Sequence, residues 1–187
     1  MKNNLEKYKD TELFAMMHGK KRESEAAFAE LYSRYSQKVY SYCVRMLGNK
    51  DDAKDVFQET FIKFYDSRNQ YKAMDHVYSY MITIARNLCY NHNRDRKASI
   101  DIEDYKLTTT DVGYEQKELL EIIAQALELI AIKYKEVFVL RLYHGLSYRE
   151  IAQITGDSEA SVKNKCWRAK EKIKDVLHPY LKEISKI

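Results

Sequence analysis

Proline occurs once and glycine five times in the 187 residues, so the chain has little with which to punctuate short strands and tight hairpins, and long helices meet few breakers. Cysteine is scarce too: Cys43, Cys89 and Cys166 are odd in number, far apart, and each set in a helical apolar pattern. They are expected as buried thiols in a reducing compartment, not as a disulfide framework. No apolar run reaches the length of a membrane span and no secretory h-region is present, so a soluble cytoplasmic protein without membrane insertion is expected. His18, His76, His92, His144 and His178 share no ligand spacing with one another or with the cysteines. Asp101, Glu103 and Asp104 lack the Gly and closing Glu of a calcium loop. Gly-rich phosphate cradles and nucleophile elbows are missing as well, so the expectation is no metal, no cofactor and no enzyme.

What the chain has instead is charge and tyrosine. Its 32 basic and 28 acidic residues leave a net charge of +4, too small to identify a nucleic-acid binder by itself. The distribution says more: residues 1–97 carry 18 basic and 13 acidic side chains, residues 98–117 carry 2 and 5, and the remainder 12 and 10. Two net-positive blocks thus flank an acidic connector. The expected fold class is all-α, with two small helical domains joined by a flexible linker and a helix-turn-helix in the second.

Asp10 is placed to cap a short helix from Thr11 to about His18, ending at Gly19; the KKRES segment then reads as a turn, with Ser24 capping the next helix. There, Phe28, Leu31, Tyr32, Tyr35, Val39, Tyr42, Cys43 and Met46 form an apolar stripe that stops at Gly48. Asn49 or Asp51 opens a third helix, with Ala53, Val56, Phe57, Thr60, Phe61 and Phe64 inward or half inward and Asp55, Gln58, Glu59 and Lys63 outward. Periodicity lapses from Ser67 to Met74, and Asp75 is expected to cap a fourth helix running to about Lys97. These helices make up a first domain, residues 1–97. Residues 98–114 are acidic, Thr-rich and aperiodic, hence the linker. Helical periodicity resumes from Glu115 to Ala131 and from Lys133 to Tyr143, within a second domain, residues 115–187.

The most specific stretch is LSYREIAQITGDSEASVKNKCWRAKEKIK, Leu146 to Lys174. Ser147 and Glu150 have capping-box spacing, with Leu146 and Ile151 at the staple positions. Gly156 ends that helix and Ser158 offers a second N-cap, before Val162, Cys166, Ala169, Ile173 and Val176 recur at three- and four-residue intervals. Small Ala152, Gly156 at the turn and Val162 as the plug between helices outline a helix-turn-helix. The exposed arcs of its second helix then carry Ser161, Lys163, Asn164, Lys165, Trp167 and Arg168, and from Lys163 to Lys174 six basic residues face one acid, Glu171. A Lys-rich solvated face would also look basic. The turn geometry, the polar Asn164 and the exposed Trp167 beside Arg168 favour a DNA-reading helix.

The other faces are less specific. Asp55, Gln58, Glu59 and Lys63 could belong to any amphipathic helix. The fourth helix carries Tyr80, Thr83, Arg86, Asn87, Asn91 and Arg94 opposite its core side of Tyr78, Met81, Ile82, Ala85, Leu88 and Cys89, just after a loop with Gln70, Tyr71, Lys72 and Met74. Aromatics interleaved with cations suit single-stranded DNA, whereas core aromatics in a chain with 16 tyrosines are the plainer reading.

Taken in order, the segments FAELYSRYSQKVYSYCVRMLGN, DAKDVFQETFIKFY and YSYMITIARNLCYNHNRDRK, a linker, and YKEVFVLRLYHGLSYREIAQITGDSEASVKNKCWRAKEKIK resemble a bacterial RNA polymerase sigma factor of the sigma-70 family, extracytoplasmic-function (ECF) group. The resemblance spans roughly residues 10–180. It implies that Asp55, Gln58, Glu59, Phe61 and Lys63 lie on the surface docking to the clamp coiled coil of the largest polymerase subunit, with the flap of the second-largest subunit as a further contact. It implies that Gln70, Tyr71, Lys72, Met74, Tyr80, Thr83, Arg86, Asn87, Asn91 and Arg94 read the −10 element and capture melted non-template DNA. Ser161, Lys163, Asn164, Trp167 and Arg168 correspond to positions reading the −35 element as duplex, and an anti-sigma factor is an implied partner. The chain departs from the family at Tyr65 and Tyr80, where Trp is frequent, and at Lys163, where a frequent Arg would offer bidentate geometry. On the residues alone, a helix-turn-helix regulator acting without entering polymerase remains the alternative, and an enzyme with a DNA-binding tail is a third reading.

Overall fold

The computed structural model describes residues 5–99, 123, 126, 127 and 129–184, and among these every regular element is a helix. A 3₁₀ turn, Leu5–Lys7, precedes α1 (Asp10–Met16), α2 (Lys21–Leu47), α3 (Lys50–Ser67) and α4 (Val77–Ser99). Three further helices follow: α5 (Ile132–Leu142), α6 (Tyr148–Thr155) and α7 (Glu159–Ile184). The chain divides into two units, Met1–Asn93 and Arg94–Ile187, so the division falls inside α4, a few residues before the expected boundary. The expected linker lies outside the described residues except for Ala98 and Ser99, which continue α4. Of the helix expected from Glu115 to Ala131, only Ile123, Ala126 and Leu127 are described as helical.

In the first unit most of the apolar stripe of α2 is inward: Leu31, Val39, Tyr42, Cys43 and Met46 are buried, as are Val56, Phe61 and Phe64 of α3 and Met81, Ile82, Ala85 and Cys89 of α4, whereas Phe28 and Tyr35 are half-buried and Tyr32 is exposed. Gly48 ends α2 in the left-handed region at φ 71°, its N–H donating to Val44 O at 2.9 Å. The Asn49 side chain then accepts from Asp51 N and Asp52 N at 2.8 and 3.0 Å, which settles the choice of cap for α3. Buried Thr60 and Ser67 return their hydroxyls to Val56 O and Phe64 O at 2.7 and 2.6 Å, so neither costs an unmade hydrogen bond.

Three expected caps are not used. Helix α2 starts at Lys21, so KKRES is its first turn; Ser24 is buried and donates to Met17 O at 2.7 Å, fastening α2 to the end of α1. Asp10 is the first residue of α1 and engages Arg34 at 2.9 Å and the Tyr35 hydroxyl, while Glu12 takes the Lys9 N–H at 2.6 Å. The first helical bond of α4 runs from Tyr80 N to His76 O at 3.0 Å, beyond Asp75. In the first two cases a tertiary partner outcompetes the local cap.

The second unit packs α5 and α7 around Ala126, Leu127, Ile130, Phe138, Ala169 and Ile173, with Tyr134 and Leu177 against the cluster. Leu140, Leu146, Ile151, Ile154, Val162 and Cys166 are buried as well.

Arg34 is the polar fastener of the N-terminal segment. Its Nη1 donates to Tyr8 O and Asp10 Oδ1, both at 2.9 Å, its Nη2 to Leu5 O and Glu6 O at 3.2 and 3.1 Å, and its Nε to Glu30 Oε1 at 2.8 Å. A lysine cannot reproduce that planar fork. Arg34→Lys is therefore expected to lower the unfolding free energy by about 1.5–3 kcal/mol, the value of a hydrogen bond to a charged group. Urea denaturation measures it, and a curve superimposable on wild type contradicts the assignment.

Candidate nucleic-acid interface

The helix-turn-helix forms as its sequence signals require. Ser147 Oγ accepts from Glu150 N at 3.2 Å while Glu150 Oε2 accepts from Ser147 N at 2.8 Å, so both halves of the capping box are made. Gly156 sits at φ 75°, where a Cβ would be strained, and its N–H donates to Ala152 O at 2.9 Å. Ser158 Oγ accepts from Ser161 N at 3.2 Å and opens α7.

On α7, Val162, Cys166 and Ala169 are buried, which turns Lys163, Asn164, Trp167 and Arg168 to solvent; Ser161 is half-buried at the edge. Trp167 is 63% exposed, which leaves its indole face open to a partner. Lys165 departs from the expected arc: its Nζ lies 2.5 Å from Asp157 Oδ2 and it is half-buried, tying the turn to α7. The exposed cations have protein partners. Lys163 pairs with Glu159 at 3.0 Å and lies 5.7 Å from the Tyr148 ring centroid, whose other contact is the Arg141 guanidinium at 4.8 Å. Arg168 Nε donates to Asn164 Oδ1 at 3.0 Å, and its hydrogen bond to the Tyr134 hydroxyl pulls that phenol below its ordinary range. Sequence reasoning missed Tyr148 and Tyr134, although Tyr148 directly follows the Ser147 cap.

In the first unit, Gln70, Tyr71 and Lys72 are exposed on the connection between α3 and α4, with Met74 half-buried. Along α4, Asn87 and Asn91 are exposed and Tyr80, Thr83 and Arg86 half-buried, so the loop and this stretch of α4 lie within one unit; Arg94, also exposed, is the first residue of the second. The Tyr71 and Tyr80 rings meet edge to face at 5.6 Å, and burial pushes the Tyr80 phenol up. The Arg86 guanidinium covers the Tyr90 ring at 4.7 Å. Thr83 spends its hydroxyl on Ser79 O at 2.8 Å. Aromatic rings and cations are thus interleaved on this surface.

On α3, Asp55, Gln58, Glu59 and Lys63 are exposed on one face, with Glu59 and Lys63 paired at 3.3 Å. Phe61 is buried, so it supports this face from below instead of forming it. Beside Gln58 runs an open apolar groove of about 560 Å³ between α2 and α3, lined by Phe28, Tyr32, Phe57, Ile62 and Tyr65. Ile62 on its rim is 61% exposed.

Fold and surface together define a helical protein with a helix-turn-helix in one unit and an aromatic-basic surface in the other. Comparison with known proteins is specific. The sigma-70 region 2 family model matches residues 31–99, and the sigma-70 region 4 model matches residues 120–173. The ECF RNA polymerase sigma-E factor of Haemophilus influenzae is 30% identical over 171 residues, covering 83% of this chain and 89% of the relative. The ECF sigma factor SigW of Bacillus subtilis is 28% identical over 177 residues, covering 84% and 92%. The fold is also that of the sigma factor RpoE of Bartonella quintana, solved in complex with the anti-sigma factor NepR, at a TM-score of 0.69 and 20% identity over 81% of this chain and 96% of that one. The chain belongs to the ECF group of the sigma-70 family of bacterial RNA polymerase sigma factors. No helix among the described residues is long and apolar enough to cross a membrane.

The turn before α7 carries a pH signature. The Lys165 hydrogen bond, with lesser help from Thr155 and Ser161, holds the Asp157 carboxyl below the usual carboxylate range against its partial burial. A depressed acid stabilises the fold above its unfolded pKa and loses that contribution as pH falls through the folded value. Thermal melts of Asp157→Asn are therefore expected to lie below wild type at neutral pH and to converge with it below about pH 4. A constant difference at every pH contradicts the pairing.

Proposed function

We propose that this protein is a sigma factor that brings core RNA polymerase to promoters by reading two DNA elements with its two units, and that it acts in the cytoplasm. The observation carrying the reading is the arc of Lys163, Asn164, Trp167 and Arg168 exposed on the helix after a capped left-handed turn. Helix α7 enters the major groove at the −35 element, where Arg168 offers a guanidinium to a guanine edge and Lys163 a cation to the backbone. Releasing these side chains from Glu159, Asn164 and Tyr134 costs little, because exposed pairs are held weakly.

The first unit holds the polymerase and the melted strand. The face of Asp55, Gln58, Glu59 and Lys63 on α3 docks on the clamp coiled coil of the largest subunit, with buried Phe61 behind it, and the second unit meets the flap of the second-largest. The loop with Gln70, Tyr71, Lys72 and Met74 takes an unpaired non-template base at the −10 element, while Tyr80, Thr83, Arg86, Asn87, Asn91 and Arg94 on α4 track the strand. Stacking and pocket contacts of about 1–3 kcal/mol per base offset the unstacking cost, so base capture drives melting. The polymerase does the chemistry. Family likeness adds an anti-sigma factor as a regulatory partner.

Two variants test the two units separately. Glu59→Lys reverses a charge on the docking face and is expected to abolish co-purification with core polymerase while leaving the melting temperature near that of wild type. Arg168→Ala is expected to keep polymerase binding, lose about 1–3 kcal/mol on the preferred −35 duplex and relax discrimination at one base pair. A uniform loss over all −35 variants makes Arg168 a phosphate contact, and full polymerase binding by Glu59→Lys removes α3 from the interface.

A further inference from the structure

The loop taken above to capture a base is held by a residue from the other end of the unit. His18 follows α1, and its ring Nε2 lies 2.8 Å from Arg68 O and 2.9 Å from Tyr71 O, across 50 and 53 residues of sequence. Its Nδ1 lies 3.1 Å from Ala15 O. Both Nε2 partners are carbonyl oxygens, so in the Nε2–H tautomer that one N–H is shared between them. The ring is set against Phe14 edge to face at 5.7 Å, and Phe14 is fully buried and packs on Phe64 of α3 at 5.8 Å. The two carbonyls belong to the connection that leaves α3, where Asn69 N, Gln70 N and Tyr71 N are already turned back to Asp66 O, Ser67 O and Ser67 O. Carbonyls at a helix end point outward without helical partners, and a donor from elsewhere in the fold fixes where that end leads.

We infer that His18 is a positioning residue for −10 base selection: its Nε2–H clips the carbonyls of Arg68 and Tyr71 and so sets the path of the loop that carries Gln70, Tyr71 and Lys72. This rests on the −10 reading above. Arg68 is pinned independently through its side chain, whose guanidinium lies 3.6 Å over the Tyr65 ring and donates to Tyr65 O at 2.6 Å. Tyr71 is different. Its ring leans on Tyr80 of α4 and its carbonyl on His18, so the ring at the loop's centre is oriented from two sides. His18 is itself exposed at the edge of the unit, and its loss should shift the loop without unfolding the core.

Asparagine and glutamine separate the two ring nitrogens. The amide of His18→Gln falls near the position of Nε2 and keeps a donor for the loop carbonyls, whereas that of His18→Asn falls near Nδ1 and does not reach them. The full chain, assembled with core polymerase, is used to select from a single-stranded DNA library randomised over ten positions, and enrichment is counted base by base. Lys72→Ala identifies the position the loop reads. At that position His18→Asn is expected to lower discrimination about tenfold, the scale of one or two hydrogen bonds, while the positions read by α4 keep theirs and His18→Gln stays near wild type. Unchanged enrichment in His18→Asn, or an equal fall at every position in both variants, overturns the role. If wild type enriches no base at all, the −10 reading itself fails and the inference falls with it; a wild-type preference that His18→Asn leaves intact removes only His18.

Discussion

An α-helix leaves its first N–H groups and last C=O groups without partners, and both segments for which a DNA-reading role is proposed sit at such ends. The connection after α3 presents orphan carbonyls, and the turn between α6 and α7 presents carbonyls and amides within three residues. Where they find partners decides what the exposed side chains can do. Gly156 and Ser158 satisfy the second set locally, so α7 is aimed by its own neighbours in sequence. In the first set the Arg68 and Tyr71 carbonyls are met by His18, just after α1, so the loop after α3 is aimed by the tertiary fold.

The same contrast runs through the electrostatics. On α7, Lys163 and Arg168 rest on Glu159, Asn164 and Tyr134, all at the surface, where pairing is weak and exchange for phosphate or base is easy. Lys165 and Arg34 do the opposite work: one ties a turn to its helix and the other gathers the N-terminal segment, and neither is free to meet DNA without loosening the fold. The exposed cations of α7 are thus able to exchange partners, whereas half-buried Lys165 and Arg34 are committed to the fold.

Local signals were legible in the sequence and tertiary ones were not. Gly48, Asn49, Gly156 and the Ser147 box act within a few residues, and the helix ends fall where those residues place them. Ser24 and Asp10 look like caps by the same rules, yet Ser24 gives its hydroxyl to Met17 O and Asp10 its carboxylate to Arg34 and Tyr35, because those partners lie in another helix. Apolar spacing fixed the faces of α3 and α7 well enough to expose Asp55, Gln58, Glu59, Trp167 and Arg168 and to turn Phe61 inward, but not to see that Lys165 turns inward to Asp157; it was the family resemblance that put Phe61 on the docking surface. His18 could not have been found at all from spacing, since its partners are 50 and 53 residues away.

The central claim is that the two units work as parts of one polymerase-bound promoter reader. The most direct measurement is run-off transcription by core RNA polymerase on a library of genomic fragments, with and without the full chain. The account predicts discrete start sites that appear only with the chain and share two sequence elements at fixed spacing. Tight sequence-specific duplex binding by the chain alone, with no start site that depends on it, would contradict the claim and leave an ordinary helix-turn-helix regulator.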